Sequence, residues 1–421
     1  MEKLMSVKFE KQKNKKKYGN SNLAQSVFEE KNNLVGFFSD LLKIKTENPP
    51  GDCMLGAKRV EEEFTKIGLD TEFINIEKAN KTAIPIVLGW LGPRTNEPDL
   101  LLNSHIDAPP VGDGWTKDPY KAHQEFGNIY GRGAALGKSD VAAYTYAGAV
   151  TKNIFSSKTN CSVLLAITAD EGSGGDNGPA YLLEEMNLRP KRVICPGFTK
   201  AVITEQCGCV LSKIKISGLA CHQAFIKTDQ EAMRVAVAFS NQLLDLDNNL
   251  RRIKSKSHEN LTSRINITRF QGGNYFGMAP GDIEIWLDRR TLPDESTDKA
   301  ISELEKLIKT FKNNQEVKID FEIVRVAQPL CATKSQLEWA KIIKKEAAIV
   351  LDSDIPILGL PIYTDARWFG SYKIPTVGYG PGNIDIIAAG INGKDENISE
   401  TELIKSTEII SRVIASVVLD S

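Results

Sequence analysis

The sequence predicts an α/β protein with a mostly parallel sheet, interrupted by an inserted ferredoxin-like (βαββαβ) domain. Three observations carry this reading. Apolar runs at 84–91, 99–102 and 162–167 read as buried strands, with a small-residue helix over 139–150 between the last two. Residues 209–326 break that rhythm and follow the order β-α-β-β-α-β. After residue 326 the α/β pattern returns, with helices over 336–350 and 400–418 around a short strand at 374–379.

The elements follow in chain order. NLVGFFSDLLKI (33–44) has helical apolar spacing and stops at the breaker TENPPGD, and 57–67 reads as a second helix. Within the insert, CVLSKIKIS alternates like a strand and an amphipathic stretch covers 229–246. Strands at 264–270 and 282–289 flank the Gly-rich QGGNYFGMAPG, and a helix over 298–311 leads to a last strand at 317–326. The expected organisation is a basic tail over 1–30, an α/β domain over 31–208 and 327–421, and the insert over 209–326.

The chain has 421 residues, enough for two sizeable cores, with 41% hydrophobic and 25% charged residues. A net charge of −1 provides no global attraction to nucleic acid or to a membrane surface. No apolar run reaches the roughly 18–20 residues of a membrane span, and the first residues lack the apolar core of a secretory signal, so a cytoplasmic location is expected. Lys11, Lys13, Lys15, Lys16 and Lys17 cluster in the tail, which reads as a solvated, disordered arm. Seven scattered cysteines suit reduced thiols, and Cys207 and Cys209 read as buried structural residues.

Several polar residues directly follow apolar strands, where ligands collect in α/β sheets. LLNSHID brings His105 and Asp107 to one side of an extended segment. LLAITADEGSGG ends a strand at Asp170 and Glu171, and SGLACHQA carries His222. YTDARWF and INGKDENI carry Asp365, Arg367, Asn392 and Glu396. A lone HxD is usually incidental and Asp-Glu before glycines is usually a solvated turn. Two of only four histidines at such places make the combination more telling than its parts.

Together these segments resemble the aminoacylase/acetylornithine deacetylase/succinyldiaminopimelate desuccinylase family of zinc metallopeptidases. LLKIKTENPPGD is similar to the family's opening helix and NPPG turn, and NSHIDAPPVGDGWTKDPY to its GHxDVVPxGxGWxxDP. GNIYGRGAALGKSD resembles GxxYGRGxxDxKG, TADEGSGG resembles TADEExGG, and SGLACH resembles GxxAH. DRRTLP and TDARWFGSYKIPTVGYGPG resemble DxRxxP and TDARxxxxxGIPTVxxGPG. The resemblance implies a catalytic α/β domain, a lid domain through which a homodimer forms, and a small-molecule substrate.

It also implies two zinc ions held by five side chains, and there this sequence departs. His105 matches the first ligand, but Leu136 stands at the bridging aspartate and Gly172 at a glutamate. Gly197 stands at a further acidic residue and Asn392 at the last histidine. Leucine and glycine donate nothing to zinc, and an amide oxygen is a poor substitute for imidazole. The expectation is a site without metal, with zinc on a set rearranged around Asp140, Asp170 and Cys195 as the alternative. By the same resemblance Glu171 is the general base, Asp107 orients His105, His222 polarises a carbonyl and Arg290 binds a substrate carboxylate, with Arg367 and Asn392 as further candidates for substrate binding. The expected chemistry is acid/base catalysis on a small acylated or carboxylate-bearing amino-acid derivative, by amide or imine cyclisation, dehydration, acyl transfer or hydrolysis. A zinc-dependent amidohydrolase with a rearranged site and a non-catalytic binding protein are the alternatives.

Overall fold

A computed structural model describes residues 20–77, 83–155, 160–312 and 316–420. The lysine cluster of the tail lies outside them. The chain divides into two compact units. One comprises Met1–Thr204, Ala332–Leu358 and Trp368–Ser421, and the other Glu205–Cys331 and Gly359–Arg367.

In the first unit the chain begins with α1 (Asn20–Glu29), α2 (Lys31–Lys43) and α3 (Met54–Lys66). Part of the tail read as disordered is therefore helical. Leu23 and Val27, four residues apart, are both buried, and that stripe gives α1 a packing face. Next come β1 (Asp70–Glu77), β2 (Ala83–Leu91), β3 (Leu100–His105), α4 (Lys138–Thr151), β4 (Val163–Thr168), β5 (Val193–Cys195) and β6 (Val202–Gln206).

The second unit then runs β7 (Gly208–Ser217), α5 (Ala232–Leu250), β8 (Arg264–Gln271), β9 (Asp282–Thr291), α6 (Thr297–Lys312) and β10 (Lys318–Ala327). Its sheet order is β8-β9-β7-β10 with every neighbour antiparallel, which is the ferredoxin-like arrangement. Alternation along β9 turns Ile283, Ile285 and Leu287 inward, where Phe239 and Phe311 pack with ring centroids 5.0 Å apart. The unit is wider than the predicted insert. Gln206 exchanges backbone hydrogen bonds with Leu330, and its side chain accepts the Thr364 N–H at 3.1 Å, which gathers 359–367 into it. Asp365 and Arg367 thus belong to this unit.

The chain closes with α7 (Lys334–Leu351), β11 (Ile357–Leu360), which ends in residues of the second unit, β12 (Thr376–Gly378) and α8 (Glu400–Asp420). The eight-stranded sheet has the order β1-β2-β4-β3-β5-β12-β6-β11. The central strands β4, β3, β5 and β12 are mutually parallel, and β1–β2, β2–β4 and β12–β6 pair antiparallel. β3 opens with three leucines and β4 is apolar as far as Ile167, and both are buried along nearly their full lengths, as parallel strands inside an α/β sheet are. Phe37, Phe38, Leu102, Tyr144, Leu165, Trp339 and Val413 belong to the resulting core.

Candidate active site

Because β3, β4, β5 and β12 are parallel, their C-terminal ends share one edge of the sheet. His105 ends β3, Asp170 and Glu171 follow β4, Gly197 follows β5 and Gly380 follows β12. This is the edge at which open α/β sheets bind ligands.

His105 and Asp107 form the pair that the sequence predicts. His105 Nδ1 lies 3.2 Å from Asp107 Oδ1 and 3.0 Å from the Asp107 carbonyl oxygen. Both partners accept, so Nδ1 carries the ring proton and the lone pair of the neutral imidazole is on Nε2. Asp107 is buried and accepts three further hydrogen bonds: from Asn48 Nδ2 at 2.9 Å, the Gly172 amide at 2.9 Å and the Glu171 amide at 3.2 Å. Burial alone would raise this carboxyl, but the donors from His105, Asn48 and Gly172 outweigh it and hold its pKa below the usual carboxylate value. Glu171 itself is half-buried on the 3₁₀ turn Glu171–Ser173, its backbone fixed by Asp107.

Asn48 was not singled out in the sequence although it lies in the NPPG turn. It joins two segments, since its Oδ1 accepts the Ser173 hydroxyl at 2.8 Å while its Nδ2 serves Asp107. Glu396, which the sequence does single out, also ties segments together. It is buried, pairs with Arg132 at 2.8 Å and accepts the Gly133 and Ala135 amides at 3.1 and 3.0 Å. These bonds pin the turn that carries Leu136. Lys138 is also buried, its Nζ donating to the Ile44 carbonyl at 2.9 Å. Burial pushes its pKa down to about 8 against the pull of Cys53, Glu396 and Asp107.

The positions of the implied metal ligands are filled differently. Leu136 is half-buried and Asn392 is exposed, in a left-handed turn with φ of 58°. Gly172 uses its amide on Asp107. A side chain at 197 has no room, because a Cβ there would lie 2.4 Å from the Tyr379 nitrogen and 2.5 Å from the Gly378 carbonyl carbon. Of the alternative donors, Asp170 Oδ2 accepts the Asn177 amide at 2.7 Å and Cys195 Sγ lies 4.0 Å from Asn103 Oδ1. Asp140 accepts the Gly137 and Gly197 amides at 2.9 and 3.3 Å. Among the described residues no group of three or more His, Cys, Asp or Glu is placed to hold a metal ion. The residues present do not fit the dinuclear zinc centre that the resemblance implies.

The remaining candidates lie in the second unit. His222 is exposed on the two-residue strand Cys221–His222, which pairs with Met278–Ala279. Its Nδ1 accepts the Ala224 amide at 3.2 Å, so in the neutral ring the proton is on Nε2, the tautomer needed to donate to a carbonyl. Arg290 is bidentate to Asp288, at 2.7 and 2.8 Å, and a substrate carboxylate would have to share it. Arg367 is buried with its guanidinium carbon 5.8 Å from the Tyr363 ring centroid. Cys207 and Cys209 are buried as expected, and burial raises their thiols to about 11 and 12.

Comparison with known proteins places this geometry. Aminoacylase-1B of Rattus norvegicus is 22% identical over 406 residues, covering 92% of this chain and 96% of that one. A dipeptidase of Saccharomyces cerevisiae, Dug1p, has the same fold with a TM-score of 0.76 and 13% identity, over 95% of this chain and 98% of its own. A dinuclear metal binding peptidase of Bacillus subtilis superposes with a TM-score of 0.64 and 14% identity, over 92% of this chain and 98% of that one. No described helix is long and apolar enough to cross a membrane. Residues 101–416 match the M20/M25/M40 peptidases, and the chain belongs to that family.

Proposed function

We propose that this protein acts on the amide or related C–N bond of a small acylated or carboxylate-bearing amino-acid derivative, by acid/base catalysis that its own side chains supply without metal. The observation that carries the reading is the retained proton-transfer set at the sheet edge. His105 is oriented by a buried Asp107, which also fixes the backbone of Glu171, while four of the five ligand positions hold Leu136, Gly172, Gly197 and Asn392. Glu171 takes a proton from the attacking group. His105, in its doubly protonated form with Nδ1–H held by Asp107, passes its Nε2 proton to the departing nitrogen and is reprotonated by the proton that Glu171 has taken up. His222 donates from Nε2 to the oxygen on which charge develops. Arg290 and Arg367 recognise the substrate carboxylate, and Asn392 contributes a polar contact. Unassisted peptide hydrolysis is demanding without a Lewis acid. Cyclisation, dehydration, acyl transfer or hydrolysis of an activated acyl group suits this set better.

A zinc-dependent amidohydrolase is the second reading, favoured by a metal-binding relative of the same family. Metal analysis of protein purified without chelators separates the two. The metal-free reading expects substoichiometric zinc and turnover unaffected by chelator. Stoichiometric zinc, with activity removed by chelator and restored by the ion, would overturn it.

We also propose that the protein forms a homodimer through its ferredoxin-like unit. Light scattering is expected to give twice the chain mass of 46.4 kDa, and a monomer across the working concentration range excludes the dimer.

A further inference from the structure

Against the motif GxxYGRGxxDxKG, this chain loses a carboxylate at Leu136 and carries one four residues later, at Asp140. Asp140 lies in the first turn of α4 and is fully buried. Three backbone segments converge on its carboxyl. Oδ2 accepts the Gly137 amide at 2.9 Å and Oδ1 accepts the Gly197 amide at 3.3 Å. Gly380 supplies the third wall, since a Cβ there would fall 1.7 Å from Oδ1.

Gly137 connects this carboxyl to the proton-transfer pair. It adopts φ of 84°, a conformation suited to glycine, and its carbonyl accepts the Ser104 hydroxyl at 3.0 Å. A Cβ at Gly137 would meet His105 Cε1 at 2.9 Å and Nε2 at 3.1 Å, so the Nε2 edge of the imidazole rests against this glycine. Asp107 holds the opposite edge, at Nδ1.

We propose that Asp140 is a positioning residue that takes over the tying role of the lost bridging carboxylate. It binds the turn before α4 to the end of β5 through two backbone amides, with the end of β12 packed against the same carboxyl, and so fixes Gly137 beside the Nε2 edge of His105. The functional part of this proposal rests on the reading of His105 as a proton-transfer residue. The geometric part does not.

The test uses Asp140→Asn and Gly380→Ala in the full-length chain, with ¹⁵N-resolved spectra of the histidine rings and His105→Ala to assign the signal. Asparagine keeps the shape but turns an NH₂ toward one of two N–H donors, so one contact becomes repulsive. Alanine at 380 pushes the same carboxyl from the other side and serves if Asp140→Asn does not fold. Both variants are expected to shift or broaden the His105 signals while those of His123 and His258 stay in place. Turnover should fall about 10-fold or more with KM little changed, since small misplacements of reacting groups are costly. Folded variants with an unchanged His105 signal overturn the proposal. A displaced His105 with unchanged turnover instead leaves the positioning role standing and removes His105 from the chemistry.

Discussion

Glu171→Gln is expected to lower turnover about 10²–10⁴-fold, the range for loss of a general base. The substitution is close to isosteric and its structural cost should be small. The Glu171 side chain is half-buried, and the bond that fixes this residue to Asp107 is made by its backbone amide, which glutamine retains. The fall should therefore appear in kcat, with KM and the near-ultraviolet circular dichroism close to those of the parent. The assay is a panel of small N-acylated and carboxylate-bearing amino-acid derivatives, followed by mass spectrometry so that cyclisation, dehydration and hydrolysis products are all seen. A full rate in Glu171→Gln would take the residue out of the reaction. If Glu171→Gln and His105→Ala both left the biological role intact, the protein would be a binding scaffold, and the retained pair would have a folding role alone.

The parts of this fold that could be read from the sequence are those in which burial is uniform along an element. β3 and β4 are buried along nearly their full lengths, so their apolar runs announce them. In the second unit, Ile283, Ile285 and Leu287 alternate with the less buried Glu284, Trp286 and Asp288, and the period of two marks the strand. β1 was missed because DTEFINIE, antiparallel at the edge of its sheet, has no fully buried residue. The site divides along a similar line. His105, Asp107 and Glu171 are titratable residues at strand ends and stand out by residue type. Asn48, Asp140 and Glu396 act through backbone amides or side chains of segments between 57 and 264 positions away. One sequence holds no trace of such a partnership until the strands are aligned. Gly197 and Gly380 are hidden further, since their importance lies in the side chain they lack and in what occupies that space.

Asp107→Ala is expected to destabilise the chain by about 1–3 kcal/mol or more near neutral pH, the range for leaving buried hydrogen-bond donors without their acceptor. The loss is large because His105 Nδ1, Asn48 Nδ2 and the amides of Glu171 and Gly172 all donate to this one carboxylate. Alanine leaves those donors facing an apolar methyl in a buried place. The effect should depend on pH with a definite sign. The folded-state pKa of Asp107 is depressed below its ordinary value of 3.8, so the unfolded chain takes up this proton first on acidification. The stabilisation is therefore fully present above the unfolded value and drains away as pH falls through the folded one. Urea midpoints for the parent and the variant should be far apart at pH 7 and draw together as the pH falls below 3.8 and through the depressed folded value. A gap of the same size at both ends of that range would mean that the ionised carboxylate contributes nothing beyond its shape. His105 would then owe its orientation to the Asp107 carbonyl oxygen, 3.0 Å from Nδ1, rather than to the side chain. In that event Asp107→Asn should keep the ring tautomer and most of the turnover, whereas an anionic partner for the imidazole predicts that both are lost.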